Sequence, residues 1–454
     1  MAVNSQLEAI TQRIRERSQT SRQVYLERLE HEEQFARLTH LSCGNIAHGV
    51  AGCSQAEQQR FLKADARNYG IVSAYNDVLS AHEPYQHFPE LIKKTFLEMG
   101  HGCQFAGGVP AMCDGVTQGQ IGMELSLFSR DLIAQATAIA LSHRTFDAAL
   151  MLGICDKIVP GLIIGSLHFG QLPIIFVPGG PMPSGLPNKD KVAIRQAYAT
   201  GKVGKDELMK AELDSYHSPG TCTFYGTANT NQMVVEAMGL QLPGSSFVPP
   251  YTELRDDLTR EAAYRLHGLV GKKEFAFGRL LDERAIVNGL VALMASGGST
   301  NHTIHMIAIA RAAGIIINWS DFNDISRITP LLAKIYPNGP ADINSFFKAG
   351  NTGFLFGQLL SAGLMHDIPT VMGESFGATY TKATPREGSI RVEWPPVLPQ
   401  SEDVDVLRAI DEPFDIEGGL HALAGNIGRG IVKNSAIAKE LHYIEGPARC
   451  FNDI

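Results

Sequence analysis

Residues 148–157 read Ala148-Ala149-Leu150-Met151-Leu152-Gly153-Ile154-Cys155-Asp156-Lys157. An uninterrupted apolar run is followed at once by a thiol, a carboxylate and an amine. A run this short and this apolar, closed by polar residues, fits a strand buried on both faces, as in parallel sheets. Weaker runs of the same kind flank it. Gly70–Ala74 ends at Tyr75-Asn76-Asp77, and Cys103–Ala106 ends at Gly107-Gly108 and leads to Cys113-Asp114-Gly115. Pro173–Val177 ends at Pro178-Gly179-Gly180. Between them Ser129–His143 has helical periodicity, with Ser129 read as its N-cap. Strands alternating with helices predict an α/β fold built on a parallel sheet with flanking helices. Ligands of such sheets bind beyond the carboxyl ends of the strands. Asn76, Asp77, Asp114, Cys155, Asp156 and Lys157 are therefore expected on one rim.

Working outward, residues 1–65 read as an N-terminal helical segment that includes the charged, amphipathic stretch Gln6–Arg37. Residues 66–390 form the expected α/β domain. Trp394-Pro395-Pro396 and Leu398-Pro399 make a proline-rich connection, and turn residues such as Gly418-Gly419 and Gly425-Asn426-Ile427-Gly428 follow. Residues 391–454 are thus expected to begin a smaller, mostly β C-terminal domain. The 454 residues exceed what one hydrophobic core usually serves.

Composition narrows the function. The net charge of −8 and the pI of about 6.0 leave no basic excess for a nucleic acid partner. Apolar runs such as Leu162–Val177 are broken by Gly, His, Gln or Pro, so no transmembrane span is expected. The N-terminus lacks the apolar core of a signal peptide, which makes the cytoplasm the expected compartment. The seven cysteines are an odd number with no CxxC pair and no ferredoxin-type run. A disulfide framework is not expected, and any metal cluster must gather cysteines from distant parts of the chain. No GxGxxG follows these strands, which disfavours a nicotinamide dehydrogenase.

Four constellations could carry chemistry. Cys155-Asp156-Lys157 offers a soft thiolate for iron beside a hard carboxylate for Mg²⁺, although an ion pair and a gap-filling thiol explain it as well. Ser218 to Asn231 is a loop dense in small polar residues around Cys222, equally readable as capping. Asp114 in Cys113-Asp114-Gly115 could reach a cation or simply close an Asx-turn, and Asn76-Asp77 has the same two readings. Ser296-Gly297-Gly298-Ser299-Thr300-Asn301 precedes a helical run, His302–Ala313, and would suit an anion or ordinary capping.

Taken together and in order, these motifs resemble the dihydroxy-acid dehydratase / phosphogluconate dehydratase family. The resemblance rests on Asn76-Asp77, Asp114-Gly115, Ser129 to Ala134, Cys155-Asp156-Lys157, Pro160-Gly161, Cys222-Thr223, Thr227 to Thr230, Gly297 to Asn301, Gly425-Asn426 and Gly446 to Arg449. It runs from about residue 65 to the end. The phosphogluconate branch is the closer match. It is carried by Thr223 to Gly226 after Cys222, by Gly180 to Lys189, and by Tyr75 to His82. Dihydroxy-acid dehydratases typically carry a cluster cysteine where Ala81 stands here.

The resemblance implies dehydration of 6-phosphogluconate to its 2-keto-3-deoxy acid in the Entner–Doudoroff pathway, by a cytoplasmic homodimer acting on a phosphorylated sugar acid. It implies a [4Fe–4S] cluster held by Cys155 and Cys222, and Mg²⁺, with Mn²⁺ as the alternative, held by Asp114, Asp156 and Lys157, the lysine carbamylated in some members. Asp156 and Lys157 then act in catalysis through the metal. A third cluster ligand stays open between Cys113 and Cys103. Asn76, Asp77, Lys189, Lys191, Ser299 and Thr300 are the candidate substrate contacts. The family's serine base and last metal carboxylate are expected beyond Ile454, so the chain is expected to be truncated. The competing expectations are a dehydratase of another sugar acid or of a branched 2,3-dihydroxy acid, and a non-catalytic cluster-binding fragment.

Overall fold

The computed structural model describes residues 2–33, 40–61, 63, 65–373, 375–377, 383–396 and 400–450. Four parallel strands form its central sheet: β1 (Asn68–Ser73), β2 (Gly102–Gly108), β3 (Ala148–Leu152) and β4 (Ile174–Val177), in the order β2-β1-β3-β4. Every residue of β1, β3 and β4 is buried. This is why these strands read as continuous apolar runs rather than as alternating ones. Tyr69 pairs with Ala148 and Ser73 with Leu152, while Ala149 pairs with Ile174. On the other side of β1 the register slips, Ile71 facing Phe105 but Val72 facing Gly107. That bulge bends the edge strand β2 just before it delivers Cys113 and Asp114.

The helices Phe88–Glu98, Ser126–Ser142 and Ile158–His168 connect successive strands. The second begins three residues earlier than its sequence signature. Ser129 is not the N-cap, because its hydroxyl donates back to the Ser126 carbonyl, at 2.7 Å, inside the first turn. The third packs very closely on the second through two glycines one turn apart. A Cβ at Gly161 would lie 2.7 Å from the Arg130 carbonyl oxygen, and one at Gly165 would lie 2.5 Å from that of Ala134. This approach seats the start of the Ile158 helix, and hence Lys157, against the segment that follows Asp114.

The long N-terminal helix Ser5–Glu33 lies on the helices Glu283–Ala295 and Trp319–Ile328. Buried Arg22 fastens it by donating to the carbonyls of Ala313 and Gly278, at 2.7 and 2.9 Å. Towards the C-terminus β5 (Thr384–Pro385) pairs with β6 (Val392–Glu393), and β7 (His421–Gly425) with β8 (Gly428–Val432), both antiparallel. The Leu398-Pro399 part of the proline-rich connection lies outside the described residues. The architecture is mixed α/β: a parallel sheet with flanking helices first, small antiparallel sheets after it. Among the described residues no helix is long and apolar enough to cross a membrane.

Candidate active site at the carboxyl end of the sheet

β3 ends at Leu152, and the chain turns sharply into the Ile158 helix. The turn passes through Cys155 at φ +77°, a left-handed conformation that is rare for a residue with a Cβ. Lys157 stands at the N-cap of that helix, 1% exposed. Its Nζ donates to Asp114 Oδ2 at 2.6 Å and to Asp156 Oδ2 at 2.7 Å. The carboxyl ends of β2 and β3 thus meet at one ammonium group.

Each carboxylate is held from a second side. Asp114 opens a one-turn helix, Asp114–Thr117, and accepts from Ser126 Oγ at 2.7 Å. Asp156 accepts from His305 Nε2 on Oδ1 and from Asn301 Nδ2 on Oδ2, both at 3.0 Å. Burial alone would raise the Asp156 pKa, but His305 and Lys157 outweigh it and hold the carboxyl well below the usual range. Burial likewise works against the charge on Lys157, yet Asp156 and Asp114 raise its pKa. The three groups form a charged set in a largely dry place, where removing one partner is costly.

The thiols converge on the same rim. Cys155 is 9% exposed, and burial, then the nearby Cys113 and Cys222, push its pKa well up. Cys222 is raised to about 11 by burial, with Cys113 adding to the effect and Lys191 opposing it. Cys113 therefore joins Cys155 and Cys222. Cys103 belongs elsewhere: it is buried on β2, and its charged neighbours are Lys93 and Glu57. Burial and mutual repulsion keep Cys155 and Cys222 protonated on their own, so they would become thiolates only beside a cation, which suits a soft metal centre. Among the described residues no group of three or more His, Cys, Asp or Glu side chains stands ready for a single ion. Two carboxylates bridged by an ammonium account for the hard-metal half, since Lys157 contributes nitrogen rather than oxygen.

The other residues singled out from the sequence divide. Ser299 belongs to the site: its hydroxyl meets Thr227 Oγ1 at 2.8 Å, and Thr227 Oγ1 in turn accepts from Asn301 Nδ2 at 3.3 Å. Thr300 is half-buried beside it, its carbonyl capped by Thr303. Asn76 and Asp77 sit in the turn after β1 with local partners, Asn76 Oδ1 accepting from Val78 N at 2.8 Å and Asp77 accepting from Tyr75. Lys189 is exposed on the first turn of the helix Asn188–Ala199. Lys191, two residues along, is buried over the Tyr216 ring at 4.8 Å and faces the Cys222 side. Burial, helped by Arg195, lowers its pKa.

Several site residues were not foreseen. His305 and Asn301 hold Asp156, while Asn231 and His302 hold the turn beneath it. Polar residues at helical spacing on an otherwise apolar stretch were the available signal, His302 and His305 being one turn apart. Lys433, just after β8, is mostly buried, lies close enough to disfavour a charge on His302, and has its own pKa lowered to about 8 by burial.

Known proteins match this chain over nearly all of its length. The profile described as "Dihydroxy-acid/6-phosphogluconate dehydratase N-terminal" matches residues 67–379, and its C-terminal counterpart matches 405–454. The chain belongs to the dihydroxy-acid/6-phosphogluconate dehydratase family. It is 54% identical over 450 residues to a phosphogluconate dehydratase of Pseudomonas aeruginosa, covering 98% of this chain and 73% of the relative. It is 53% identical over 454 residues to that of Escherichia coli K12, covering 99% and 75%. A dihydroxy-acid dehydratase of Caldanaerobacter subterraneus is 32% identical over 398 residues, covering 84% and 67%.

Proposed function

We propose that this protein dehydrates 6-phosphogluconate to the 2-keto-3-deoxy acid, the Entner–Doudoroff hydro-lyase reaction. The observation that carries the reading is the identity of 50–54% to phosphogluconate dehydratases over nearly the whole chain. Ala81 supports the phosphogluconate branch. It is buried, and His82 beside it donates to the Ile154 carbonyl at 2.9 Å, directly before Cys155. Gly220 N donates to the Ser80 carbonyl at 2.7 Å, so the segments of Ala81, Cys155 and Cys222 adjoin. A cysteine that other family members carry at this spot is replaced here by alanine, and Cys113 supplies the third thiol from another loop.

Cys113, Cys155 and Cys222 are the proposed ligands of a [4Fe–4S] cluster. Asp114 and Asp156 are the proposed Mg²⁺ ligands, with Lys157 joining them once a carbamate replaces its positive charge. A cluster and a divalent ion held by these residues would supply, respectively, a Lewis acid for the departing hydroxyl and positive charge for the enolate. The protein's own task is orientation. His305 and Asn301 fix which Asp156 oxygen faces the site, and Ser126 does the same for Asp114. Lys191, buried, and Lys433, half-buried, are suited to the substrate's anionic ends.

An exposed apolar face formed by Ile121, Leu125, Leu127, Phe128, Leu132 and Ile139 supports a homodimer. The free cysteines suit a reducing compartment, so the cytoplasm is the proposed location.

The test is anaerobic formation of 2-keto acid from 6-phosphogluconate with iron, sulfide and Mg²⁺ supplied. Gluconate and a branched 2,3-dihydroxy acid run alongside. Preference for the phosphorylated acid is expected, and preference for either of the others overturns the substrate. Intact mass showing no added carboxyl on Lys157 in the active protein would remove the carbamate.

A further inference from the structure

The two cysteines that come from distant parts of the chain are both tied to one helix, Thr227–Ala237, by the same device. Asn229 Nδ2 donates to the main-chain carbonyls of Cys222, at 2.8 Å, and Phe224, at 2.9 Å, while its Oδ1 accepts from Thr221 Oγ1 at 3.0 Å. Asn231 Nδ2 donates to the carbonyls of Cys155, at 3.0 Å, and Asp156, at 3.2 Å, while its Oδ1 accepts from His302 Nε2 at 3.0 Å. Each amide thus forks onto the carbonyl of a cysteine and of a close neighbour. Each amide oxygen is held by a third residue. Neither amide can be turned over, because its oxygen would then face two carbonyl oxygens.

Both asparagines are buried, at 1% and 2% exposure. Residues two apart on a helix point about 200° away from each other. One amide therefore reaches back to the Cys222 loop while the other reaches to the Cys155 turn on the opposite side. The second connection is the more demanding, since Cys155 is held at φ +77°. Side chains of similar size without donors would remove these bonds, leaving the Cys155 carbonyl only a long bond from Val159 N at 3.5 Å and the turn free to relax.

We propose that Asn229 and Asn231 are positioning residues that set the separation and aim of the Cys155 and Cys222 thiols, with His302 locking Asn231 from behind. This rests on the reading that those thiols hold an iron–sulfur cluster. The helix acts as a rigid spacer between two loops that have no strand in common. Residues that orient metal ligands from behind typically alter metal affinity by about 10–100-fold.

The experiment uses the whole chain, reconstituted anaerobically with iron and sulfide. Iron and acid-labile sulfide per chain, the cluster absorption, and the rate of loss to an iron chelator are measured. Asn229→Leu, Asn231→Leu, Cys155→Ala and Cys222→Ala are compared with the parent. The parent is expected to hold a cluster and both cysteine variants to lose it. The asparagine variants should release iron about 10–100-fold faster, with the melting temperature of the cluster-free protein little changed. Release at the parental rate in both asparagine variants overturns the positioning role and leaves the cluster reading intact. A parent that binds no more iron than the cysteine variants overturns both. Should the leucine variants fail to fold, His302→Gln and His302→Ala address the same clamp from outside. Glutamine can still donate to Asn231 and should retain the parental rate where alanine does not; equal rates in the two overturn the proposal.

Discussion

The helix Glu283–Ala295 and the hairpin of β7 and β8 occupy opposite extremes of one chain. Of the thirteen residues in the helix all but Arg284 are buried, Glu283 and Asn288 among them. Of the ten in the hairpin none is buried. The helix owes its position to tertiary packing and would be marginal alone, because apolar area removed from water supplies most of its stability. The hairpin has its own ladder, from the His421–Val432 pair to the Gly425–Gly428 pair, and rests on the body through the Trp319–Ile328 helix and Ile431. The sheet rim is tied together across segments: Lys157 is buried, and Asp114 and Asp156, half-buried, hydrogen-bond to it and to residues from other helices. A change at the rim or in the packed body is felt far along the chain, and a change in the hairpin stays local.

The sharpest contrast is functional. Asp156→Asn keeps the size of the side chain but weakens its hold on Lys157 and on the proposed cation, and should lower turnover on the order of 10²–10³-fold. Turnover within a few-fold of the parent would remove Asp156 from the site.

The next effect is on stability and depends on acid. His82 is fully buried under Ile154, and burial lowers its pKa from 6.5 to about 4 despite the hydrogen bond to that carbonyl. Between these values the unfolded chain binds a proton that the folded one does not. Stability is therefore complete above pH 6.5 and falls as pH drops towards 4, by about 3 kcal/mol for this residue. Urea midpoints between pH 4 and 7 should slope more steeply in the parent than in His82→Gln, and equal slopes would contradict the assignment.

Two glycine substitutions make the comparison direct. Gly165→Ala drives a Cβ to 2.5 Å from the Ala134 carbonyl oxygen and should cost about 1–3 kcal/mol. Gly430→Ala in β8 meets nothing within 4 Å and should change stability by no more than about 0.5 kcal/mol. Thermal melts of the pair suffice, and a larger loss in the hairpin would reverse the contrast.

The central sheet was legible in the sequence because a strand buried on both faces leaves a continuous apolar run, and β1, β3 and β4 lie within two residues of theirs. The start of the Ser126 helix was not, since a serine inside the first turn and a serine at the cap look alike until the partner of the hydroxyl is known. At the site, Asp114, Asp156 and Lys157 come together as their places at strand ends suggested. Cys113 and Cys103 could not be separated beforehand: one lies on β2 and the other shortly after it, and only the fold shows which one lies near Cys155. Asn229 and Asn231 were hidden for a different reason. Their loop looks polar throughout, and nothing local marks the two side chains that point inward.

The ammonium of Lys157 has a consequence for how the protein matures. Two carboxylates brought together on a rim would repel each other and oppose the last steps of folding. Here the chain carries its own counter-ion, and the pair can be buried before any ion from solution arrives. On the cation site proposed above, the polypeptide could thus be completed first and the ion taken up once the lysine gives up its charge.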